Sequence, residues 1–95
     1  MGDKVIDFIR KQSAATPSVR RVWLYGSRAK GTHKENSDYD VAIDWDSAST
    51  ASWGAFASEL LEKKPSLHQL DLVRLDQVGE ELKTKIQQEG IVIHG

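Results

Sequence analysis

The sequence contains no cysteine, which excludes a disulfide framework and any zinc site built on thiolates. Its three histidines, His33, His68 and His94, include no helix-spaced pair and no neighbouring ligand set, so a histidine metal centre is not expected. Charge of one sign is missing too, since 13 Lys and Arg against 14 Asp and Glu leave a formal net charge of −1. Broad electrostatic attachment to nucleic acid needs a basic face. No direct nucleic-acid binding is therefore expected, and Arg20-Arg21 and Lys63-Lys64 read as solvated pairs. No apolar run approaches the ~20 residues that cross a bilayer. The run Met1 to Phe8 carries charges where a signal peptide has its apolar core. The expectation is a cytoplasmic protein without membrane contact.

What is present is a chain of 95 residues, 39% hydrophobic and 28% charged, the composition of an ordinary globular domain. It is long enough for one core and not for two, so residues 1–95 are expected to form a single domain. The chain is organised around Leu24 to Asp44, where an apolar run ends in Gly26-Ser27-Arg28 and a polar loop leads to Asp38 and Asp40 at the head of a second apolar run. Carboxylates at i and i+2 of a strand share a face, with Cα atoms roughly 7 Å apart. Both can then reach one divalent ion, or two ions held about 3.5–4 Å apart. Beside them, Gly26 lets the backbone approach a phosphate closely. Ser27 offers a hydroxyl and an N–H, and Arg28 a forked cation suited to phosphate. These residue types in this order point to metal-assisted nucleotide chemistry.

Gly26-Ser27, ten residues, then Asp38-Tyr39-Asp40 resembles the glycine-serine, spacer, Asp-x-Asp signature of the nucleotidyltransferase superfamily that includes DNA polymerase β. The fuller strings Gly26-Ser27-Arg28-Ala29-Lys30-Gly31 and Ser37-Asp38-Tyr39-Asp40-Val41-Ala42-Ile43 are similar to its minimal nucleotidyltransferase branch. The ending Gln87 to Ile93 also looks like that family's close, so the likeness runs through nearly the whole chain.

Taken in order, Asp3 to about Ala15 has helical spacing of Val5, Ile6, Phe8 and Ile9, with Asp3 as cap or first-turn acid and Thr16-Pro17 as stop. Val19 to Tyr25 reads as a strand with Val22 and Leu24 on one face and Arg21, Trp23 and Tyr25 on the other. Ser27 to about Gly31 reads as a helical turn and Thr32 to Asn36 as exposed loop, with His33 in it. In a strand from Asp38 to Trp45, Tyr39, Val41, Ile43 and Trp45 share the face that packs on helices. Asp38, Asp40, Ala42 and Asp44 share the other. Ser52 to Lys64 follows as a helix with a stripe of Trp53, Phe56, Ala57, Leu60 and Leu61, ended by Pro65.

Leu67 to Leu75 reads as a third strand, in which Asp71 alternates away from Leu70 and Leu72. A mid-strand acid faces either water or a partner. Asp71 is thus an exposed strand acid, or it joins Asp38 and Asp40 on the open face, with Asp44 as its rival. Asp76 reads as the cap of a helix from about Gln77 to Glu89, with Val78, Leu82 and Ile86 along one side and Gly90 as its C′ residue. Ile91 to Ile93 is a last short strand. The alternation implies an α/β fold.

The resemblance implies more. The fold is the polymerase β palm-like nucleotidyltransferase fold, a mixed sheet with helices on one face and catalytic carboxylates on the other. Asp38 and Asp40 hold Mg²⁺. Asp71, as third carboxylate, helps hold a second ion or takes the proton of the attacking hydroxyl. Gly26, Ser27 and Arg28 bind the phosphates of ATP or another nucleoside triphosphate, with Lys30 a weaker candidate. Larger members carry a second domain over the substrate cleft. Without one, Trp23, Tyr25 and Val73 are expected on an uncovered sheet face, which implies a homo- or hetero-oligomer. Family members of this size often pair with a helical HEPN ribonuclease toxin and can transfer AMP to one of its tyrosines. The rival expectations are a small-molecule nucleotidyltransferase of the aminoglycoside type and a non-catalytic antitoxin that masks its partner.

Overall fold

A computed structural model describes residues 3–95. Met1 and Gly2, the start of the run read above for a leader, lie outside the described residues. Helix α1 spans Lys4–Ala14, and its first turn is capped by Asp3, whose Oδ1 accepts from the backbone N–H of Val5 at 2.8 Å and Ile6 at 3.2 Å. Strand β1, Val19–Tyr25, leads into the four-residue helix α2, Ser27–Lys30. Strand β2 is Tyr39–Trp45, helix α3 is Trp53–Lys63 and strand β3 is Leu70–Arg74. A 3-10 turn at Leu75–Gln77 precedes helix α4, Glu80–Glu89, and strand β4, Ile91–His94.

The strands form one sheet in the order β3-β2-β1-β4. β1 runs antiparallel to both β2 and β4, while β2 and β3 are parallel and joined through α3. The end of β1 and the beginnings of β2 and β3 therefore lie along the same rim. That rim carries the motif.

The alternation along β2 is as the sequence dictates. Tyr39, Val41, Ile43 and Trp45 are buried in the main core with Val5 and Ile9 of α1, Val22 and Leu24 of β1, and Phe56 and Leu60 of α3. Trp45 meets the rings of Trp53 and Phe56 at centroid distances of 5.4 Å each, and the Trp45–Trp53 contact is edge-to-face. Leu61, expected in the α3 stripe, is exposed instead.

The second face is not left open. Trp23, expected to be uncovered, is only 5% exposed and packs with Ala42, Leu75 and Ile86, so α4 lies on this face. The helices are divided, α1 and α3 on one side and α4 on the carboxylate side. The apolar stripe of α4 was legible, but the face it would choose was not, because alternation leaves apolar residues on both sides of β1. Tyr25 and Val73 are half-buried against the same cluster.

Two boundaries also differ from expectation. β3 starts at Leu70, and Leu67 stands fully exposed before it. Asp76 caps no helix; its carboxylate pairs with Arg74, accepting from Nε at 3.0 Å and from Nη2 at 2.6 Å. The helix starts later, behind Gly79. Gly90 does follow α4, but with an ordinary φ of −73°. Its missing side chain matters for space: a Cβ there would lie 2.4 Å from the Ile86 carbonyl oxygen and 3.2 Å from Trp23 Cδ1.

Candidate active site

The parallel pairing of β2 with β3 sets Asp40 opposite Asp71, and the antiparallel pairing of β1 with β2 sets Tyr25 opposite Asp40. Cross-strand partners point to the same face. Tyr25, Asp40 and Asp71 therefore form a row across three strands, and Asp38, two residues before Asp40, stands on the same face at the rim. Asp40 is half-buried, while Asp38 and Asp71 are exposed.

The row is electrostatically crowded. Burial, then the neighbouring charges of Asp71 and Asp38, pushes the Asp40 carboxyl above its ordinary range. Burial, then the charges of Asp40 and Asp71, pushes the Tyr25 phenol up to about 12. A carboxylate such as Asp40, whose ionisation is resisted by its surroundings, is suited to receive a cation.

Gly26 follows Tyr25 in a conformation, φ 73° and ψ −152°, that is essentially open to glycine alone. A Cβ at this position would lie 2.5 Å from Asp40 Oδ2. The Gly26 backbone thus lies directly against the central carboxylate, and Ser27 begins α2 beside it. Gly31 ends α2 in the left-handed region at φ 75°.

Arg28 points elsewhere. Its guanidinium lies over the Tyr39 ring, 3.8 Å from the centroid, on the face opposite the carboxylates. Nε and Nη2 donate to the Ser37 carbonyl at 3.1 and 2.9 Å, and Nη2 also donates to the Glu35 carbonyl at 3.1 Å. The Tyr39 hydroxyl in turn donates to Asp3 Oδ2 at 2.7 Å. This network ties the start of α1 to the loop that carries Asp38. The expected phosphate ligand is here the residue that holds the loop. Lys30 forms an exposed ion pair with Glu89 at 3.5 Å. Asp44 sits opposite Arg21 toward the far end of β2, away from the row.

Residues the sequence reading passed over also line the site. Tyr25 joins the row through strand pairing, and pairing partners are invisible in a single chain. His68 bridges the α3–β3 connection to the motif loop, with its ring nitrogens against Ser66 Oγ and the Glu35 carbonyl and its ring edge-on to Tyr39. Two clefts flank the motif. On the β1 side a cleft of about 190 Å³ is bounded by Tyr25, Gly26, Lys30, Lys85 and Ile86. On the β3 side a wider one of about 820 Å³ includes Lys4, Asn36, Asp38, Lys64, Leu67 and His68.

Among the described residues no three acidic or histidine side chains close into a ready-made metal cage. The open row fits Mg²⁺ in particular, because that ion takes one or two carboxylates and completes its shell with water and substrate phosphates. Asp38 and Asp40, with Asp71 alongside, are the side chains that could hold such an ion.

Residues 3–95 match the family model described as polymerase beta, nucleotidyltransferase. Among proteins with curated functions none matches the sequence. Among solved structures, a toxin–antitoxin crystal structure with AMP-PNP is 28% identical, with a TM-score of 0.73, covering 95% of this chain and 73% of the matched one. A mutant of an MntA toxin–antitoxin pair is 25% identical with a TM-score of 0.71, covering 95% and 72%. An MntA–HepT toxin–antitoxin structure, at 24% identity, TM-score 0.65 and coverage of 96% and 70%, shares the fold. The four-stranded mixed sheet, the Gly26 turn against Asp40 and the family match over 3–95 agree: the chain belongs to the polymerase β nucleotidyltransferase family.

Proposed function

We propose that this chain is the antitoxin of a HEPN-type toxin in the cytoplasm and transfers AMP from ATP to a tyrosine hydroxyl of that partner. The single observation that carries the chemistry is the juxtaposition of Asp40 with Asp71, Asp38 and the Gly26 backbone. The similarity to toxin–antitoxin structures, one of them with AMP-PNP, supports the partner and the nucleotide.

In the reaction the acceptor oxygen bonds to the α-phosphorus, the bond from that phosphorus to the bridging oxygen breaks, and pyrophosphate leaves. Asp38 and Asp40 would hold Mg²⁺, which when bound would supply positive charge against the charge that develops on the phosphates. Gly26 admits the phosphate chain close to the sheet rim, where a side chain would collide with Asp40. Ser27 offers its hydroxyl and N–H to the phosphate oxygens. Asp71, exposed beside Asp40, accepts the proton of the acceptor hydroxyl. Arg28 and Tyr39 act at a distance by fixing the loop that presents Asp38. Most of the acceleration in such transfers comes from positioning and charge, which suits a domain this small.

The test is incubation of the chain with ATP labelled at the α-phosphate, Mg²⁺ and the product of the neighbouring reading frame as candidate partner. Label on the partner that disappears on Tyr→Phe substitution of its acceptor supports the reading. A tight complex without label would replace it with masking of the toxin, and label on an added small alcohol alone would replace it with small-molecule modification.

A further inference from the structure

The wide cleft on the β3 side has a composition that the transfer chemistry does not use. Asp38 is its single carboxylate, and that group belongs to the row. The rest of its lining brings the ammonium groups of Lys4, from the start of α1, and Lys64, from the end of α3, together with His68 and Asn36. Lys64 is held in place by donating to the Leu61 carbonyl at 3.1 Å, and His68 by Ser66 and the Glu35 carbonyl. Leu67 also lines it and is fully exposed, a large apolar side chain presented to solvent beside His68, whose ring is anchored edge-on against Tyr39. The chain as a whole is slightly acidic, so this local excess of positive charge is not the general character of its surface.

The position in the sheet separates the two substrates. Along the rim the order is the α3–β3 connection, then Asp38, then the Gly26-Ser27 turn. If the phosphates take the Gly26-Ser27 side, the acceptor reaches Asp38 over the rim from the β3 side, where this cleft opens between the start of α1 and the end of α3. An approaching segment then meets two ammonium groups and one exposed leucine.

We infer that the cleft formed by Lys4, Lys64, His68 and Leu67 is the docking surface for the acceptor, and that it selects an acidic peptide segment with an apolar residue beside the hydroxyl to be modified. The inference rests on the reading of the chain as a nucleotidyltransferase acting on a protein. Complementary charge at such a surface sets the encounter and the choice of partner more than raw affinity. The leucine supplies the apolar contact that a purely electrostatic ligand would leave unused, which favours a peptide over a nucleic-acid strand.

The experiment uses two fluorescein-labelled tyrosine peptides of equal length, one flanked by Glu and Leu, the other by Lys and Leu, and a single-stranded oligonucleotide. Binding is read by anisotropy for the wild-type chain and for the Lys4→Glu/Lys64→Glu variant, with retention of the Mg-ATP thermal shift showing an intact nucleotide side. The expected result is preference for the acidic peptide by about tenfold, lost or inverted in the variant and weakened by salt. Leu67→Ser is expected to weaken both peptides alike. Equal binding of the two peptides, an unchanged preference in the variant, or tighter binding of the oligonucleotide would each overturn the inference. Label transfer from ATP is followed in parallel with the same peptides. Selective binding without any transfer would leave the docking surface standing and remove the transferase reading, whereas transfer without selectivity would do the reverse.

Discussion

Asp40 and Asp71 are direct register partners in the parallel pair β2–β3, so two carboxylates that lie 31 positions apart in the sequence face each other across one strand spacing. Pairing them opposes folding. Like charges side by side on a sheet are destabilising, and burial, followed by the Asp71 and Asp38 charges, raises the Asp40 carboxyl.

Asp40→Asn is therefore expected to raise the melting temperature while lowering nucleotidyl transfer on the order of 10³-fold, the scale set by losing several kcal/mol of metal-borne charge stabilisation. The pH dependence has a definite sign. Because the folded-state pKa of Asp40 is raised, its favourable contribution is fully present below the unfolded value near 3.8 and is lost as pH rises through the folded one. The melting curves of wild type and variant should lie together in acid and separate toward neutral pH. Thermal melts from about pH 3 to about pH 7, spanning the carboxylate range, check it; a variant less stable than wild type at neutral pH contradicts it.

Gly26 and Gly31 both have positive φ, yet they are expected to respond differently. At Gly26 an added Cβ meets Asp40 Oδ2 at 2.5 Å, in a backbone region that disfavours every other residue by about 1–3 kcal/mol. Gly26→Ala should be destabilised by that amount and lose transfer, because the carboxylate must move. At Gly31 nothing lies within 4 Å, so Gly31→Ala meets only the left-handed penalty of about 1–2 kcal/mol and keeps its activity. Denaturant melts and transfer assays on the two variants measure the contrast.

Arg28→Lys distinguishes a loop-holding residue from a phosphate ligand. The lysine keeps the charge but loses the paired donation to the Ser37 and Glu35 carbonyls and the flat contact with Tyr39. Stability is expected to fall by about 1–2 kcal/mol, and turnover to fall with it, while the shift in melting temperature on adding Mg-ATP persists. Loss of that shift with unchanged stability would instead make Arg28 a phosphate ligand.

The chain has two tyrosines, and both are pushed up to about 12. Tyr25 is raised by burial and then the Asp40 and Asp71 charges, and Tyr39 by burial and then its bond to Asp3. Folded-state values above the unfolded one near 10 give stability that is fully present below pH 10 and lost as pH rises through about 12. Tyrosinate absorbance in the folded protein should therefore appear well above the pH at which the urea-unfolded chain ionises. Coincident titrations would contradict the burial of both rings.

Much of the fold around the candidate site was legible in the sequence. The period-two alternation of Tyr39 to Trp45 placed Asp38 and Asp40 on one face and the core on the other, and the strand bounds of β1 were readable to the residue. Gly26 stood out because a glycine between an apolar run and a serine has few reasons other than close approach. What stayed hidden depends on pairing and on long-range choice. Asp71 could be placed on a face but not opposite Asp40, since register arises between strands. Arg28 carries the right chemistry for phosphate, yet two carbonyls and an aromatic ring claimed it first. The cover over Trp23 escaped notice because Ile86 lies 63 positions away. Asp76 read as a cap because acids before helices usually are, and Arg74 two residues back outcompeted the backbone.

The central claim is that the Asp38, Asp40 and Asp71 row transfers AMP to a partner protein, and the intact mass of that partner tests it most directly. After incubation with ATP and Mg²⁺, the partner is predicted to gain the mass of one or more AMP groups with wild-type chain. It should gain none with Asp40→Asn or without Mg²⁺, although both chains still form the complex. A partner whose mass is unchanged by folded wild-type chain, or which is modified equally by Asp40→Asn, would contradict the account.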